Sequence, residues 1–350
     1  MEHDNDKVNS NLLSDKPQKS FKDFAFKKNE AGELVTEVFD DRSAFYTENT
    51  QYETETYAET NDYVFLNPSS LRVHLPSAHE DAWSRLNGLI GLDEVKKQIK
   101  RVEYVMNFDK KRQESGLTMD RARNHFAFLG NPGTGKNEVA RILGNILYQS
   151  GVVSNGHVVE VDRSDLVMGY IGQTAIKTKE IVDYARGGVL FIDEAYSLWD
   201  PYEGDFGAEA VGVLMKEMED SYSDLVVVLA GYEDDMDILL RSNAGITSRI
   251  RHQINFEDYS PEELFLIYKK FCQDNQYILH ADAEIPLKKL MNETEKLNNA
   301  RFGNARYVRN IFDKTIEKMA ERVTSQNLED LIHLQTILFT DIPQSTEIRS

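Results

Sequence analysis

GNPGTGKN, residues 130–137, follows the apolar run 126–129 and precedes a stretch with the hydrophobic spacing of an amphipathic helix. Glycines at this spacing let backbone amides surround phosphate oxygens, and Lys136 adds a cation for the terminal phosphates. A strand, this loop and a helix in that order predict a phosphate-binding P-loop, which the positive end of the helix dipole strengthens. The residues expected to contact a nucleotide are Gly130, Asn131, Pro132, Gly133, Thr134, Gly135, Lys136, Asn137 and Glu138.

The last position of the loop departs from the pattern G-x-x-x-x-G-K-[ST]. Asn137 stands where a Ser or Thr hydroxyl normally ligates Mg²⁺. An amide oxygen is a suitable ligand, but the longer side chain must present oxygen rather than nitrogen to the ion. A shift of about one ångström in the metal would slow the reaction on the order of a hundredfold, while Lys136 and the loop amides still held nucleotide. We therefore expect nucleotide binding together with slow turnover.

A second motif ends in two adjacent carboxylates. In GGVLFIDE, residues 187–194, an apolar strand pattern leads into Asp193 and Glu194. At the carboxyl end of a parallel strand, Asp193 can hold Mg²⁺ or its waters, and Glu194 can deprotonate the water that attacks the γ-phosphate. On its own, such a pair is about equally typical of a solvated acidic turn after a strand and of a catalytic site. After a P-loop it predicts an ATP site with Asp193 and Asn137 as the Mg²⁺ ligands.

Composition and charge exclude several classes of protein. The chain has 350 residues, 41% hydrophobic and 28% charged, with a net charge of −19, which is typical of a soluble protein with room for two domains. The acidic balance argues against a nucleic-acid partner, since such binding needs clustered Lys and Arg. No signal-peptide pattern occurs and no apolar run approaches the roughly 18 residues of a membrane span, so we expect a cytoplasmic protein without membrane contact.

Histidine and cysteine patterns offer no other site. The eight histidines lack metal-ligand spacing, and no H-E-x-x-H pattern is present. The single cysteine, Cys272, lies in an apolar helical pattern that is typical of a buried thiol rather than a nucleophile. Zinc chemistry and cysteine catalysis are therefore not expected.

The hydrophobic pattern divides the chain into four segments. Residues 1–80 carry 16 acidic and 8 basic side chains with few periodic apolar stretches, which predicts an acidic, flexible N-terminal extension. Residues 81–256 alternate apolar runs with amphipathic helices, which is typical of an α/β domain whose parallel sheet is covered on both faces. Ser260, Pro261 and Glu263 then predict a capped helix that opens an all-α domain over 257–340, and 341–350 form a tail.

Two arginines are candidates for stabilising the transition state. Phosphoryl transfer needs positive charge, which often comes from another subunit or domain. Arg249 lies just before the last strand pattern and Arg306 begins a later helix, with Arg251 and Arg309 as nearby substitutes. Any of these four can equally be an ordinary surface arginine.

A glycine-flanked aromatic segment is a candidate for gripping a polypeptide. Tyr170 and Ile171 lie between Gly169 and Gly172, ahead of the carboxylate motif. An aromatic loop tip can hold an extended peptide by apolar contact, and the glycines let the loop move. These residues alone slightly favour a local hydrophobic plug instead.

Six motifs in order resemble the CbbX and stage V sporulation protein K group of AAA+ ATPases. They are LNGLIGLDEVKKQI, FLGNPGTGKN, GYIGQTAIKTKEIVDYARGGVLFIDEAYSL, VVVLAGYEDDMD, NAGITSRI and FGNARYVRN. The resemblance covers residues 84–340. It implies a P-loop AAA+ α/β domain with a small α-helical lid, and a homo-oligomeric ring, usually a hexamer, that binds ATP between subunits and remodels a protein partner.

The resemblance also implies roles for single residues. Residues 130–136 match Walker A, Asp193 and Glu194 match Walker B, Arg249 matches the arginine finger and Arg306 matches sensor 2. The pore loop that pulls a polypeptide into the channel corresponds to Tyr170, Ile171 and Gly172, and the adenine pocket to Ile90 and Gly91.

Departures from the group pattern leave a rival interpretation open. Asn137 and Glu138 replace the usual hydroxyl residues, and Ala244 replaces a proline. Sensor 1 is a polar residue at the end of the fourth strand, and the stretch that ends at Tyr232 leaves it unassigned. If Asn137 suppresses hydrolysis, the protein is instead a nucleotide-regulated scaffold with weak or no turnover. The sequence names no partner for either function.

Overall fold

The computed structural model describes residues 23–28, 34–39, 71–76, 81–117, 124–170, 172–199, 206–220, 224–294 and 302–348. The chain separates into two units, residues 1–63 and 64–350. In the first unit, strands β1 (Asp23–Lys28) and β2 (Leu34–Phe39) pair antiparallel. The predicted N-terminal extension thus contains an antiparallel β-pair, and the rest of that unit lies outside the described residues.

A six-stranded sheet organises the second unit. Its strands are β3 (Arg72–His74), β4 (His125–Gly130), β5 (Val158–Val161), β6 (Gly188–Ile192), β7 (Leu225–Gly231) and β8 (Ile250–Phe256). Their spatial order is β3-β5-β6-β7-β4-β8, and every neighbouring pair is parallel except β3 with β5. The parallel sheet predicted from the sequence is therefore confirmed, with one antiparallel edge strand added.

Strand β3 moves the start of this domain to about residue 71, ahead of the expected boundary at 81. Val73 pairs with Val159, while Arg72 and His74 contact the Glu160 carboxylate at 3.3 and 3.2 Å. Three residues are too few to show a periodic pattern. The position of β3 depends on these contacts with a distant strand, which composition does not reveal.

Helices cover both faces of the sheet. Phe126 and Phe128 on β4 belong to one buried apolar cluster, and Ala127 and Leu129 belong to the other. This alternation explains why the strand is apolar at every position. The helices are α1 (Ala82–Asn87), α2 (Asp93–Glu114), α3 (Lys136–Gln149), α4 (Arg163–Leu166), α5 (Gln173–Ala185), α6 (Gly207–Glu219), α7 (Glu233–Ser242) and α8 (Ala244–Thr247).

The lid is helical, as predicted, with a third apolar cluster of its own. The Ser260 hydroxyl accepts from the Glu263 amide and the Glu263 carboxylate accepts from the Ser260 amide, which confirms the predicted capping box. Cys272 is buried, and this burial raises the pKa of its thiol to about 12. The lid elements are α9 (Pro261–Asp274), α10 (Ala281–Glu293), α11 (Ala305–Ser325), α12 (Leu331–Gln335) and a two-residue parallel pair of β9 (Ile278–Leu279) with β10 (Thr336–Ile337).

The segment 341–348 is part of the lid, whereas the sequence assigned 341–350 to a tail. Asp341 is 1% exposed and Ile342 is also buried. The Asp341 carboxylate accepts two hydrogen bonds from the Arg322 guanidinium, at 2.7 and 2.8 Å. Because this buried partner lies on α11, the sequence near residue 341 gives no local sign of it.

None of the helices in the described part of the chain combines the length and apolar composition that crossing a bilayer requires.

Replacing Asp341 with Ala tests whether this segment stabilises the lid. The Arg322 side chain is 11% exposed, so D341A leaves a largely buried charge without its partner. We expect the free energy of unfolding, measured by urea denaturation, to fall by about 3–5 kcal/mol. Glu347→Ala removes an exposed pair with Lys318 and should cost clearly less, because solvent screens that pair. Equal losses in the two variants would show that Asp341 is not part of the lid core.

Candidate functional site

A polar cleft forms where the P-loop, the ends of β6 and β7, and the start of lid helix α11 meet. Its volume is about 250 Å³. Nine residues predicted from the sequence line it: Pro132, Gly133, Gly135, Lys136, Asn137, Glu138, Asp193, Glu194 and Arg306. Gly231 and Tyr232, at the end of β7, complete the lining. Cations and carboxylates thus share one cleft, a combination suited to phosphates with a divalent metal ion.

Glycines are required in the loop for two physical reasons. Gly133 and Gly135 have φ angles of +72° and +95°, which side chains rarely adopt. A Cβ atom on Gly133 would also lie 2.3 Å from the carbonyl oxygen of Gly303 in the lid. The amide of Ala305 donates to the Gly133 carbonyl at 3.2 Å, so the lid backbone contacts the loop directly.

Lys136 begins α3 and is held by the loop it serves. Its ammonium donates to the carbonyl oxygens of Gly130 and Asn131, both at 2.8 Å. Burial lowers the pKa of Lys136 to about 8; the nearby Asp193 carboxylate opposes this shift and Arg306 adds to it. A phosphate beside the amine would favour its charged form. The amine therefore fits an anionic ligand.

Asn137 connects the P-loop to the carboxylate motif. Its amide nitrogen donates to Asp193 Oδ2 at 3.3 Å and to Glu160 Oε1 at 3.0 Å. The other Asp193 oxygen accepts from the backbone amide of Glu194 at 3.0 Å. Sequence reasoning missed Glu160, because its only local signal is a charged residue inside an otherwise apolar strand.

Glu194 and Tyr232 occupy neighbouring parts of the cleft. Glu194 is exposed, and its φ of +48° is a left-handed conformation that costs a side chain about 1 kcal/mol or more. Tyr232 stacks on Tyr196, with ring centroids 5.5 Å apart. The structure thus places Tyr232 in the lining, at the strand end where the sequence left sensor 1 unassigned.

A buried amide joins the P-loop, the lid and the connection between β8 and α9. Asn304 is fully buried; its oxygen accepts from the Tyr259 amide at 2.8 Å, and its nitrogen donates to Asp258 at 2.7 Å and to the Pro132 carbonyl at 3.4 Å. Asp258 also accepts from the Asn131 side chain at 2.9 and 3.0 Å. Movement of the lid would therefore disturb the phosphate-binding loop.

Several predicted residues lie outside the cleft lining. Three P-loop residues do not line the cleft: Gly130, Asn131 and Thr134. Thr134 is buried, and its hydroxyl donates to the Asn131 carbonyl at 2.8 Å, which stabilises the loop. Ile90 packs on the lid cluster, and a Cβ atom on Gly91 would clash with the Glu263 side chain. These two residues thus border the junction between core and lid.

Arg249 also lies outside the cleft lining. Its guanidinium pairs with Glu219 and donates to the Gly245 carbonyl at 2.6 Å. The substitutes are occupied as well, since Arg251 pairs with Asp109 at 3.7 Å and Arg309 lies 4.1 Å from the centre of the Phe271 ring. Of the candidate arginines, the structure brings Arg306 to the cleft.

The glycine-flanked aromatic segment is exposed. Tyr170 is 73% exposed, and the Gly172 amide lies 3.3 Å from a Glu209 carboxylate oxygen. Ile171 lies outside the described residues. Tyr170 packs into no buried cluster of the described residues, so the hydrophobic plug is not what the structure shows.

The residues present fit a phosphate ligand with Mg²⁺. Among the described residues, no three His, Cys, Asp or Glu side chains are grouped to hold a metal ion. Mg²⁺ usually takes one or two protein ligands and completes its shell with phosphates and waters. The glycine cradle beside Lys136, next to the Asn137 and Asp193 pair, matches that kind of site.

Comparison with known proteins decides the family. The model of the family described as "ATPase family associated with various cellular activities (AAA)" matches residues 126–258, and that of the AAA lid domain matches 260–350. A chloroplastic ribulose bisphosphate carboxylase/oxygenase activase of Cyanidioschyzon merolae is 44% identical over 67% of this chain and 80% of its own length. The chain belongs to the AAA ATPase family. The lid match also covers 341–348, in agreement with their packing.

Further relatives of this AAA protein confirm the predicted group. Protein CbbX of Cereibacter sphaeroides is 43% identical over 73% of this chain and 84% of its own. Stage V sporulation protein K of Bacillus subtilis is 41% identical over 68% and 74%. The crystal structure of the FIGL-1 AAA domain has a TM-score of 0.56 over 78% of this chain and 84% of its own at 16% identity, which supports the fold alone.

Two substitutions of Asn304 separate its hydrogen bonds from its backbone conformation. At φ 48° and ψ −121° the residue occupies a region that favours glycine. We expect Asn304→Ala to lower the free energy of unfolding by about 2–4 kcal/mol, because the hydrogen bonds are lost while the backbone strain remains. Asn304→Gly loses the same bonds without the strain and should be about 1 kcal/mol less harmful. Urea denaturation measures both, and identical losses would exclude a backbone contribution.

Proposed function

We propose that this AAA protein binds ATP with Mg²⁺ in the cleft between core and lid, hydrolyses it, and uses the cycle to remodel a protein partner as a ring-shaped homo-oligomer, such as a hexamer. One observation carries the proposal. Lys136, the adjacent pair Asp193 and Glu194, and Arg306 come from three distant parts of the sequence and line one cleft. The relatives carry names for different cellular roles, so the proposal extends to a polypeptide partner and no further.

Each group in the cleft has a chemical task. The loop amides and Lys136 bind the phosphates, and Asn137 with Asp193 would hold Mg²⁺, which supplies charge neutralisation when bound. Glu194 is exposed to the cleft and accepts the proton of the attacking water. Arg306 reaches the cleft from the lid and adds positive charge near the phosphates.

The position of Arg249 supports an assembly. It does not line the cleft of its own chain, and it is held by Glu219, which is largely exposed. For Arg249 to stabilise the transition state, it must act in the cleft of a second copy. We therefore assign it to the ATP site of the neighbouring subunit.

The rival function, a nucleotide-regulated scaffold, depends on Asn137 being unable to support chemistry. The Asn137 amide donates to Asp193, so residue 137 is held beside the carboxylate motif, next to the position where the hydroxyl of a standard P-loop meets Mg²⁺. This contact favours the ATPase over the scaffold.

Glu194→Gln and Arg249→Ala test the ATPase. We expect both to reduce phosphate release at least about a hundredfold, because one removes the base and the other a transition-state charge, while binding of a fluorescent ADP analogue persists. The partner Glu219 is 59% exposed and stays solvated after the change, whereas Arg249 itself is 14% exposed, so urea denaturation must confirm that Arg249→Ala remains folded. Arg241→Ala is the matched control, because Arg241 is 80% exposed and pairs within α7.

The oligomer claim has its own readout in the same experiment. Mixing Arg249→Ala with Glu194→Gln subunits should restore part of the ATPase rate, because some interfaces then combine an intact base with an intact finger. A mixture as inactive as its components would contradict the assignment of Arg249 to a neighbouring site. Equal, negligible turnover in the unmodified protein and all variants would remove the enzyme claim itself.

Tyr170→Ala tests the contact with the polypeptide. Tyr170 is 73% exposed and lies outside the cleft, so we expect ATP turnover without partner to change less than about threefold. Capture of a polypeptide by the Glu194→Gln protein in ATP should be lost when Tyr170→Ala is added. Tyr104→Ala, at an aromatic that is 62% exposed on α2, is the control and should capture normally. Undiminished capture of the polypeptide by the Tyr170 variant would contradict the pore-loop role.

A further inference from the structure

An asparagine at a metal position has an ambiguity that a hydroxyl does not have. Its oxygen can ligate Mg²⁺, but the NH₂ group, at the other side of the planar amide, cannot. A serine or threonine hydroxyl donates its hydrogen and offers its oxygen through a single atom. For Asn137 to replace that hydroxyl, something must fix which end of the amide faces the ion.

Two carboxylates fix the NH₂ end in the structure. The Asn137 nitrogen donates to Glu160 Oε1 at 3.0 Å and to Asp193 Oδ2 at 3.3 Å, which occupies both of its N–H groups. Both acceptors lie on strands of the central sheet or directly after them. The amide oxygen is thereby directed away from these carboxylates, and Asn137 lines the phosphate cleft.

The surroundings of Glu160 keep its carboxylate a hydrogen-bond acceptor. The residue is 4% exposed, yet two guanidinium groups contact its carboxylate, Arg141 at 3.0 Å and Arg72 at 3.3 Å, and a His74 ring nitrogen lies 3.2 Å from it. These guanidinium groups stabilise the charged form of the Glu160 carboxylate. An ionised carboxylate has no hydrogen to donate, so it accepts the NH₂ end of an amide and repels the oxygen end.

We propose that Glu160 is a positioning residue of the ATP site, which holds the NH₂ group of Asn137 and thereby presents the Asn137 oxygen to Mg²⁺. The inference rests on the proposed function, since it concerns the metal that accompanies ATP. Asn137 and Glu160 together perform the task of the usual Walker-A hydroxyl. Arg72 and His74, which hold Glu160, come from β3, ahead of the region that matches the AAA family at 126–258.

A double-mutant cycle isolates this role. Glu160→Gln keeps the shape of the side chain, but its amide can donate as well as accept and no longer fixes the orientation of Asn137. Asn137→Thr supplies a hydroxyl that needs no second acceptor. Binding of a fluorescent ADP analogue to the full chain is measured with Mg²⁺ and with EDTA, and the ratio of the two affinities gives the gain that Mg²⁺ provides.

The expected result is an effect that depends on residue 137. With Asn137 present, E160Q should reduce the Mg²⁺-dependent gain by about tenfold or more, the loss typical of an outer partner of a metal ligand. With Asn137→Thr, the same change should alter the gain less than about twofold. Affinity in EDTA should not respond to E160Q in either background, because Lys136 and the loop amides do not involve Glu160.

A matched control separates orientation from loss of charge. Asp162 lies 3.6 Å from Arg72 and caps α4 by accepting from the Ser164 amide, so its carboxylate is engaged there and not with Asn137. Asp162→Asn removes a negative charge beside the same arginine while keeping a good capping side chain. It should retain the Mg²⁺ gain of the unmodified protein. If E160Q does not fold, Glu160→Asp, which keeps the charge but withdraws it from Asn137, takes its place in the cycle.

The outcomes distinguish this inference from the proposed function. An equal loss of Mg²⁺ gain with Asn137 and with Thr at that position, or a loss of affinity in EDTA as well, would overturn the positioning role and leave the ATP site standing. If the unmodified protein binds the ADP analogue with no gain from Mg²⁺, both the metal claim and the role of Glu160 fall. If it binds no nucleotide in either condition, the proposed function fails first and the inference fails with it.

Discussion

The parallel register of β4, β6 and β7 is the constraint on which the cleft depends. Leu129 pairs with Gly231 and Ile192 pairs with Leu229, so all three strands end at the same edge of the sheet. The P-loop, Asp193 and Tyr232 follow these three ends directly. Strand β4 has neighbours on both sides, β7 and β8, so the loop that binds phosphate leaves from the inside of the sheet, where its start is held most firmly.

Polar groups connect this edge to the lid. The buried Asn304 amide is hydrogen-bonded at both its oxygen and its nitrogen, so its burial costs little as long as core and lid stay together. Separation would leave Asp258 and the Tyr259 amide without this partner. The same physics applies to Asp341 and Arg322 inside the lid, where a buried pair ties residues 341–348 to α11. The lid is thus stabilised internally by the Asp341–Arg322 pair and joined to the P-loop by the hydrogen bonds of Asn304.

Charge is distributed unevenly between the whole chain and its cleft. The net charge is −19, yet Lys136 and Arg306 line the cleft, and two arginines and a histidine surround the single Glu160 carboxylate. Lys136 and Glu160 are buried, so water screens their charges less than it screens surface charges. Composition gives the net charge of the chain, but it does not reveal a local anion site such as this cleft.

The sequence by itself determined the parts that act locally: the P-loop glycines, the apolar runs of the strands, the two adjacent carboxylates and the Ser260 capping box. Each depends on backbone conformation or periodicity within about ten residues, so its signal is contained in a short stretch. Only the tertiary structure decided that β3 joins the sheet, that Glu160 contacts Asn137, that Asn304 joins lid to loop and that Arg249 stays outside its own cleft. His74 and Glu160 are separated by 86 residues, and Asn304 and Pro132 by 172. Partners this far apart leave no periodic trace in the chain, since only the packing of distant elements brings them within hydrogen-bonding distance.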